Sequence, residues 1–548
     1  MLATPFTALN WDSETHLFFA DHYRQDWFDP WEKRWYEGFF VFSYPPLSHQ
    51  LVALFSFTFG LEIGYKIVQA IALAALPVSM WFFVKENIGK AYAGYAAMLS
   101  VMIPSVYLML YSFGQLPSFI GIVLCLASLG CFGRFVNTGR FSALIGWACL
   151  AGAAAATHHH TVLIIMPGLV AVLVLQQWVS RKVERKVLFI REIFALVTVA
   201  YTVLFAIMPF AWWSQYFYEA QAEIPHPTRE NIFSSDLHAE LFFWDIYGSL
   251  LLTVPLAAIV LLVRKQWNTL PMILAIATLA VLGLGTNTPI PKIVFQLGGF
   301  WEWLTYERFA IWASVLGVIP LAVWLGKSEG NKTVSAIMAC TVVILLGFCA
   351  RAATLPQNTQ LVPEPLEKWE EQEIIKFLEE DNHIQWNYIT LGLGEAQLAR
   401  ISRQTHAQTI DGTYYTVRRR SELKESGIPS IDSSIWQAGT TDTLLSILSQ
   451  PEDWSLRWAI LGKPEFASIM EAAGWERVHP LGSDASYRAG DPTFSTVWIW
   501  QVPEAKLVPP HQEQPIPQYP GLAPLMWGIL PLLYLTCGIF AASWSVRR

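Results

Sequence analysis

Long apolar runs alternate with short polar connections through most of the chain, and many of the runs are of membrane length. A bilayer core of about 30 Å needs roughly 20 apolar residues in a helix. The pattern predicts helices near 63–84, 91–110, 117–133, 141–157, 162–178, 193–213, 246–263, 269–286, 309–325, 333–350 and 521–545, eleven in all. A further run, 47–60, is short for a span and reads as re-entrant or interfacial. Between 351 and 520 the pattern changes. A charged helix over 364–381 leads into a strand at 386–391 and a helix at 395–403. A strand at 457–461, a helix over 464–474 and a strand at 496–501 follow. Strands alternating with helices predict a small α/β domain. Pro503 to Pro520 reads as an extended linker back to the membrane.

The fold class expected is therefore mainly α: a polytopic helical membrane protein of about 11–12 segments with a small extracytoplasmic α/β domain. Its parts are a transmembrane module over 1–350 with a first outer loop over 1–46, the soluble domain over 351–520, and a C-terminal transmembrane helix over 521–548.

Composition sharpens this division. Of 548 residues, 53% are hydrophobic and 14% charged, where a soluble globular protein carries roughly 25% charge. The 351–520 block holds 37 of the 79 charged residues, about 22% of its length, against about 11% elsewhere. A secreted enzyme, a cytosolic dinucleotide-binding protein and a nucleic-acid binder are excluded. The formal charge of −7 splits into −9 for the soluble block and +2 for the rest, so neither part suggests a polyanionic partner. All six cysteines lie in apolar segments, which excludes a disulfide or a cysteine zinc cage in the soluble block.

Basic residues occupy alternate connections, from Lys85 and Lys90 to Arg547 and Arg548. Fifteen Lys and Arg then lie on one side, against six in the membrane-proximal loops of the other. By the positive-inside tendency the first loop, the soluble block and the connections at 158–161 and 287–308 face away from the cytoplasm.

Polar residues gathered at a membrane are costly, so their positions carry information. The first loop reads Asn10-Trp11-Asp12-Ser13-Glu14-Thr15-His16, then a Trp-rich stretch closing on Tyr44-Pro45-Pro46-Leu47. Asp12 and His16 would share one face of a helix, and the aromatics suit short helices lying in the interface. A second cluster is His158-His159-His160, able to bind phosphate when protonated or a metal when neutral. On a helix at most two of the three face one ligand. A third is Trp301-Glu302-Trp303-Leu304-Thr305-Tyr306-Glu307-Arg308, where Arg308 and Lys292 are the fixed cations at the outer mouth. A guanidinium there suits a phosphate, while an interfacial anchor or a pair with Glu307 is the plainer alternative. The loop over 214–245, with Glu219, Glu223, His226, Asp236, His238, Glu240 and Asp245, reads as solvated.

The acid-bearing first loop, Asp12-x-Glu14-x-His16, followed by interfacial aromatics and Tyr44-Pro45-Pro46-Leu47 entering an apolar helix, resembles the GT-C superfamily. These are integral-membrane glycosyltransferases that use polyprenyl-phosphate-linked sugars. Within it the chain looks most like the membrane proteins labelled 6-pyruvoyl-tetrahydropterin synthase-related. The His158–His160 hairpin, Leu284-Gly285-Thr286-Asn287-Thr288-Pro289 and Asp411-Gly412-Thr413-Tyr414 fit that likeness over nearly the whole chain. Two departures stand out: the helix that usually precedes the acidic loop is not seen ahead of it, and the motif is Asp-x-Glu rather than the commoner Asp-x-Asp.

The resemblance implies an inverting transfer of a hexosyl or pentosyl group from a polyprenyl-phosphate donor to a glycan, lipid or protein acceptor. It implies a prokaryotic plasma membrane, with the site on the extracytoplasmic side and no nucleic-acid partner. Asp12 would be the base. Glu14 or His16 would hold a divalent cation, Mg or Mn, or orient Asp12. Arg308, with Lys292 and members of His158, His159 and His160, would neutralise the leaving phosphate. The soluble block would bind the acceptor or cap the site. The rival readings from the residues are a lipid or glycan transporter, which needs ionisable groups at mid-membrane, and a non-catalytic membrane scaffold.

Overall fold

A computed structural model describes residues 10–180, 183–222, 224, 231–297, 305–358, 365–380, 382–432, 441–480, 497–511 and 515–547. Glu223, His226 and Trp301 to Leu304 of the sequence reading lie outside these residues.

All eleven long apolar runs are helical. Among the described residues seven helices are long and apolar enough to cross a membrane: Leu61–Asn87, Leu116–Thr138, Thr161–Ser180, Arg185–Tyr216, Glu307–Lys327, Lys332–Leu355 and Ala523–Arg547. Two more predicted spans are bent pairs, Lys90–Ser100 with Pro104–Ser112 (49°) and Asp236–Tyr247 with Leu250–Val263 (47°). The first bend falls where Pro104, lacking an N–H, opens a new helix. The second falls at Gly248, whose φ of +52° a side chain would resist. The last two predicted spans, Phe141–Ala155 and Trp267–Leu282, are shorter apolar helices.

The 47–60 run forms the helix Leu47–Phe59, a shorter apolar helix than the seven of membrane length. Its thirteen residues rise only about 20 Å. The Leu47 N–H donates to the Ala156 carbonyl (2.8 Å), and Glu62, just past its far end, meets Arg403 of the soluble domain (3.2 Å). Both ends of the run thus lie at the same end of the bundle. Basic connections gather at the opposite end: Arg134 pairs with Glu86 (2.8 Å), Arg191 donates to the Val136 carbonyl (2.9 Å) and Arg140 to that of Ser545 (2.9 Å).

The first loop departs from the expected interfacial helices. It opens with one helix, Ser13–Gln25, buried from Ser13 to Tyr23, in which Leu17, Phe18, Phe19 and Ala20 are all packed. The Trp-rich stretch is then an antiparallel hairpin, Trp31–Glu32 against Phe39–Phe40, not a helix. Its turn uses positive φ at Tyr36, Glu37 and Gly38. Trp35 is wholly buried, stacked 3.6 Å from Phe18. It packs under the soluble domain, whose backbone continues the loop: Tyr36 N–H donates to Thr409 C=O (3.1 Å) and Thr409 N–H to Arg34 C=O (2.9 Å).

The soluble domain is the expected α/β unit. Its sheet has the order Asn387–Leu391, Leu456–Leu461, Trp498–Gln501, Glu476–Pro480. The first pair is parallel and the other two antiparallel. The last of these strands and the helix Thr441–Ser449 were not anticipated. The Pro-rich segment lies along the domain, where Trp386 donates to the Val508 carbonyl (3.0 Å).

Candidate active site

The site is built where the start of the Ser13–Gln25 helix meets two turns of the membrane module. Asp12 is the N-cap residue, yet its side chain makes no capping bond. The free donor of the first turn is taken by Asn10 instead, Ser13 N–H to Oδ1 at 2.9 Å. This releases the Asp12 carboxylate, which accepts a hydrogen bond from the Gln115 amide. The Asp12 N–H is tied to the Phe113 carbonyl (3.1 Å), and Trp11 stacks on Phe113. Tyr65 holds the turn from below, donating to Gly114 C=O (3.1 Å) and accepting from Ser13 Oγ (3.0 Å).

Gly114 is required by this approach. Its φ is +74°, and a Cβ would lie 2.4 Å from Asn10 Oδ1 and 2.5 Å from Ser13 N. Gly114→Ala is therefore expected to push the Asp12 turn aside and, on the expectation that Asp12 is the base, to lower turnover by about 100-fold, as misplacement of a reacting group by an ångström does. Turnover of the variant within a few-fold of wild type would show that the turn does not set the position of Asp12.

Across the mouth, Arg308 is the second residue of the helix Glu307–Lys327. Its Nη1 donates to His158 Nε2 (2.8 Å) and His160 Nδ1 (3.1 Å). An arginine is always a donor, so both rings accept and are neutral. Burial, with Arg308 next, pushes both imidazoles well below their ordinary range. His158 is oriented further by Thr161 Oγ1 on Nδ1 (2.8 Å) and Ser118 Oγ on Nε2 (3.1 Å). Arg308 Nε is buried without a partner among the described residues. A permanently charged group with a spare buried donor is what an anion would satisfy.

The Asp12 carboxyl is pushed up to about 6, by burial first, with the Arg308 charge pulling it down and Glu307 pushing it up. His16 is held neutral, pushed down to about 3 by burial and then by Arg308. Its Nδ1 lies 3.2 Å from His49 Nε2. Tyr44 walls the same space, its ring against His16, His49 and Tyr414, and Arg308 and Asp12 both act on its hydroxyl.

Asp12, His16, Arg308, His158 and His160 are thus brought together, while three other residues of the sequence reading are placed elsewhere. His159 turns away, its ring 4.3 Å from Phe210 and 6.4 Å from Trp527. Lys292 is exposed on a separate short helix, Pro289–Phe295. Glu14 is fully buried in an ion pair with Arg403 of the soluble domain (3.0 Å). A protonated-histidine route to phosphate does not fit rings that accept from Arg308. Glu14 faces a guanidinium, while His16 Nδ1 faces a second imidazole, His49. Among the described residues no group of three or more His, Cys, Asp or Glu is arranged to hold an ion.

The buried Glu14–Arg403 pair docks the soluble domain on the first helix, with Thr15 Oγ1 against Thr413 Oγ1 (2.6 Å) and the Tyr414 hydroxyl donating to the Ser43 carbonyl (2.8 Å). Arg403→Ala leaves Glu14 buried and uncompensated. It is expected to cost about 3–5 kcal/mol, read as a fall in the thermal midpoint of the detergent-solubilised protein. A midpoint unchanged within error would mean that water replaces the guanidinium.

The docking also delivers residues that sequence reasoning missed. Glu395, at the start of the helix Glu395–Ser402, has its carboxyl pushed up to about 7 by burial and then by the Asp12 charge, with Asp432 and Asp411 adding to it. Its only signal in the sequence was a predicted helix start. Gln115 and Tyr65 sit at the margins of apolar runs and gave none.

Below the polar mouth the Glu307–Lys327 helix also lines an apolar groove of about 340 Å³ with Leu250, Val254, Ile276, Ala280 and Ala313. A small cavity on the same helix, between Met109, His160, Ile311 and Trp312, holds Arg308 in its wall.

No protein-family model matches the chain, and no curated protein matches it in sequence. Solved structures do match in fold. The Archaeoglobus fulgidus oligosaccharyltransferase in its apo form superposes with a TM-score of 0.57 at 11% identity, over 89% of this chain and 72% of that one. The same enzyme in complex with Zn and sulfate gives 0.52 at 12%, over 86% and 68%. The mycobacterial arabinofuranosyltransferase AftD gives 0.46 at 12%, over 89% of this chain and 37% of that one. At such identities the likeness is one of architecture alone: the chain has the fold of the archaeal oligosaccharyltransferase.

Proposed function

We propose that the protein is a membrane glycosyltransferase that moves a sugar from a polyprenyl-phosphate donor to an extracytoplasmic acceptor, with inversion. The observation that carries this reading is a single one. A carboxylate and an under-satisfied guanidinium face each other at one mouth, and the guanidinium's own helix runs down into an apolar groove.

Asp12 takes the proton from the acceptor hydroxyl as its oxygen bonds to the anomeric carbon from the face opposite the phosphate. The bond from that carbon to the phosphate oxygen breaks, and its electron pair leaves with the polyprenyl phosphate. Arg308, fixed by His158 and His160, stabilises the charge that grows on the departing phosphate. The proton on Asp12 then passes to water, which restores the base. The groove beside Leu250 and Ala313 houses the first isoprene units in the bilayer. Glu395 and Thr413 place the soluble domain over the acceptor side. The fold of the archaeal enzyme supports the general reaction class, while the residue roles rest on this chain's own geometry.

The test is sugar transfer by the purified protein in lipid nanodiscs from synthetic polyprenyl-phosphate hexose and pentose donors. Transfer with inverted anomeric configuration is expected. No turnover and no donor binding across the panel would move the protein to lipid transport or scaffolding.

A further inference from the structure

A polar cavity lies at the other end of the first-loop helix from Asp12. It encloses about 510 Å³ between the loop and the soluble domain. It adjoins a second cavity of about 260 Å³, and the two share Trp31, Glu37 and Arg420 in their walls. Gln25 and Asp26, which line it, end a helix of thirteen residues that Asp12 begins. The two places are therefore about 20 Å apart.

The lining selects against several ligand classes. The arginines of the larger cavity are already engaged, Arg34 with Glu32 (2.6 Å) and Asp21 (2.7 Å), and Arg420 with Glu37 (2.7 Å) and over the Trp454 ring (4.2 Å), while Lys33 and, in the adjoining cavity, Arg419 are exposed at the rim. An anionic ligand would meet carboxylates, Asp26, Asp29 and Asp453, and an apolar one would strand them. What the cleft offers is a set of hydrogen-bonding groups from both sides, including the amides of Gln25, Asn387 and Gln408. Asn387 Oδ1 is buried without a partner among the described residues. Trp31 supplies an aromatic plate between the two cavities. Its indole lies so close over Gly38 that a Cβ there would sit 2.3 Å from the ring, and its N–H backbone is pinned by Asp29 (2.9 Å). Carboxylates and amides that accept from hydroxyls, beside an indole face that stacks on C–H surfaces, match a neutral polyhydroxylated chain.

We infer that this cleft is a distal acceptor subsite that binds an oligosaccharide, so that the chain's far residues are held about one helix length from Asp12 while its end reaches the base. The inference rests on the transferase reading and names its acceptor class as a glycan of several residues.

The experiment measures binding of uncharged linear hexasaccharides of glucose, mannose and galactose to the full-length protein in nanodiscs by saturation-transfer NMR, without any donor lipid. Five proteins are compared: wild type, Trp31→Ala, Trp31→Phe, Lys33→Trp and Asp12→Asn. Lys33 is exposed and lines the cleft, so Lys33→Trp narrows it without removing a buried contact. At least one hexasaccharide is expected to bind saturably, both cleft variants, Trp31→Ala and Lys33→Trp, to weaken it tenfold or more, and Asp12→Asn to bind it like wild type. Trp31→Phe, which keeps an aromatic plate, should retain most of the affinity and controls for misfolding. No saturable millimolar binding by wild type while transfer from the lipid donor proceeds would overturn the subsite and leave the transferase standing. Binding that survives in both cleft variants, or short peptides displacing the sugar at lower concentration, would also overturn it. Hexasaccharide binding without transfer from any donor would keep the cleft and sink the transferase.

Discussion

Asp12→Asn is expected to lower turnover by about 10²–10⁴-fold, the range for removal of a positioned general base, with donor affinity unchanged. The substitution is nearly isosteric. The turn is held by Phe113, Asn10 and Tyr65 rather than by the Asp12 side chain, so the fold has no reason to respond. The carboxylate is also the group whose charge sets the pH profile. Its carboxyl is raised to about 6 because burial outweighs the attraction of Arg308. A base must be ionised to act. The wild-type rate should therefore fall as pH drops through about 6 and stay level above it. In Asp12→Asn that limb should vanish along with the activity. Equal turnover in the two proteins would remove Asp12 as the base. A wild-type limb near 4, the range of an exposed carboxylate, would show that the site is wetter than the packing around Asp12 implies.

Much of this architecture was legible because apolar run length is a direct physical requirement of the bilayer. All eleven long runs became helices, and the strands and helices expected after residue 380 form an α/β sheet unit, although the helix Lys332–Asn358 runs unbroken through 351. Two things were hidden. Pro104 and Gly248 mark the bends, but their angles, and the shortness of the helices at 141–155 and 267–282, are not read from apolar run length. The Trp-rich loop read as interfacial because tryptophan favours that boundary, yet Trp35 is covered by protein instead. The site was half legible for a similar reason. Asp12 and Arg308 stood out because an ionised group at a membrane edge is costly and needs a purpose. Glu14 stood out equally, and its purpose proved to be a partner 389 positions away. No local spacing could reveal Arg403. Three adjacent histidines point to different sides of a turn, so the separation of His159 from His158 and His160 follows from helical geometry, although which one would leave did not.

Arg308→Ala is the second large effect expected, a loss of about 10²–10³ in turnover, the range for deleting one preorganised donor to a developing oxyanion. The guanidinium is placed by two neutral imidazoles that accept from Nη1, which aims the remaining donors without cancelling their charge. Arg308→Lys keeps the charge and loses the planar fork, so it should recover part of the rate and little of the donor affinity. A plain membrane anchor would predict the opposite for lysine, which snorkels as well as arginine. The sharper readout is the pH profile. Arg308 holds the Asp12 carboxyl down against burial and Glu307. Without it the carboxyl stays protonated to higher pH, so the acid limb of whatever activity remains should move above about 6. In Arg308→Lys it should move less. A limb that stays in place while turnover falls would mean that Arg308 supports the fold of the mouth and does not share a field with the base. A limb that moves upward with the loss of rate would tie both groups to one reaction centre.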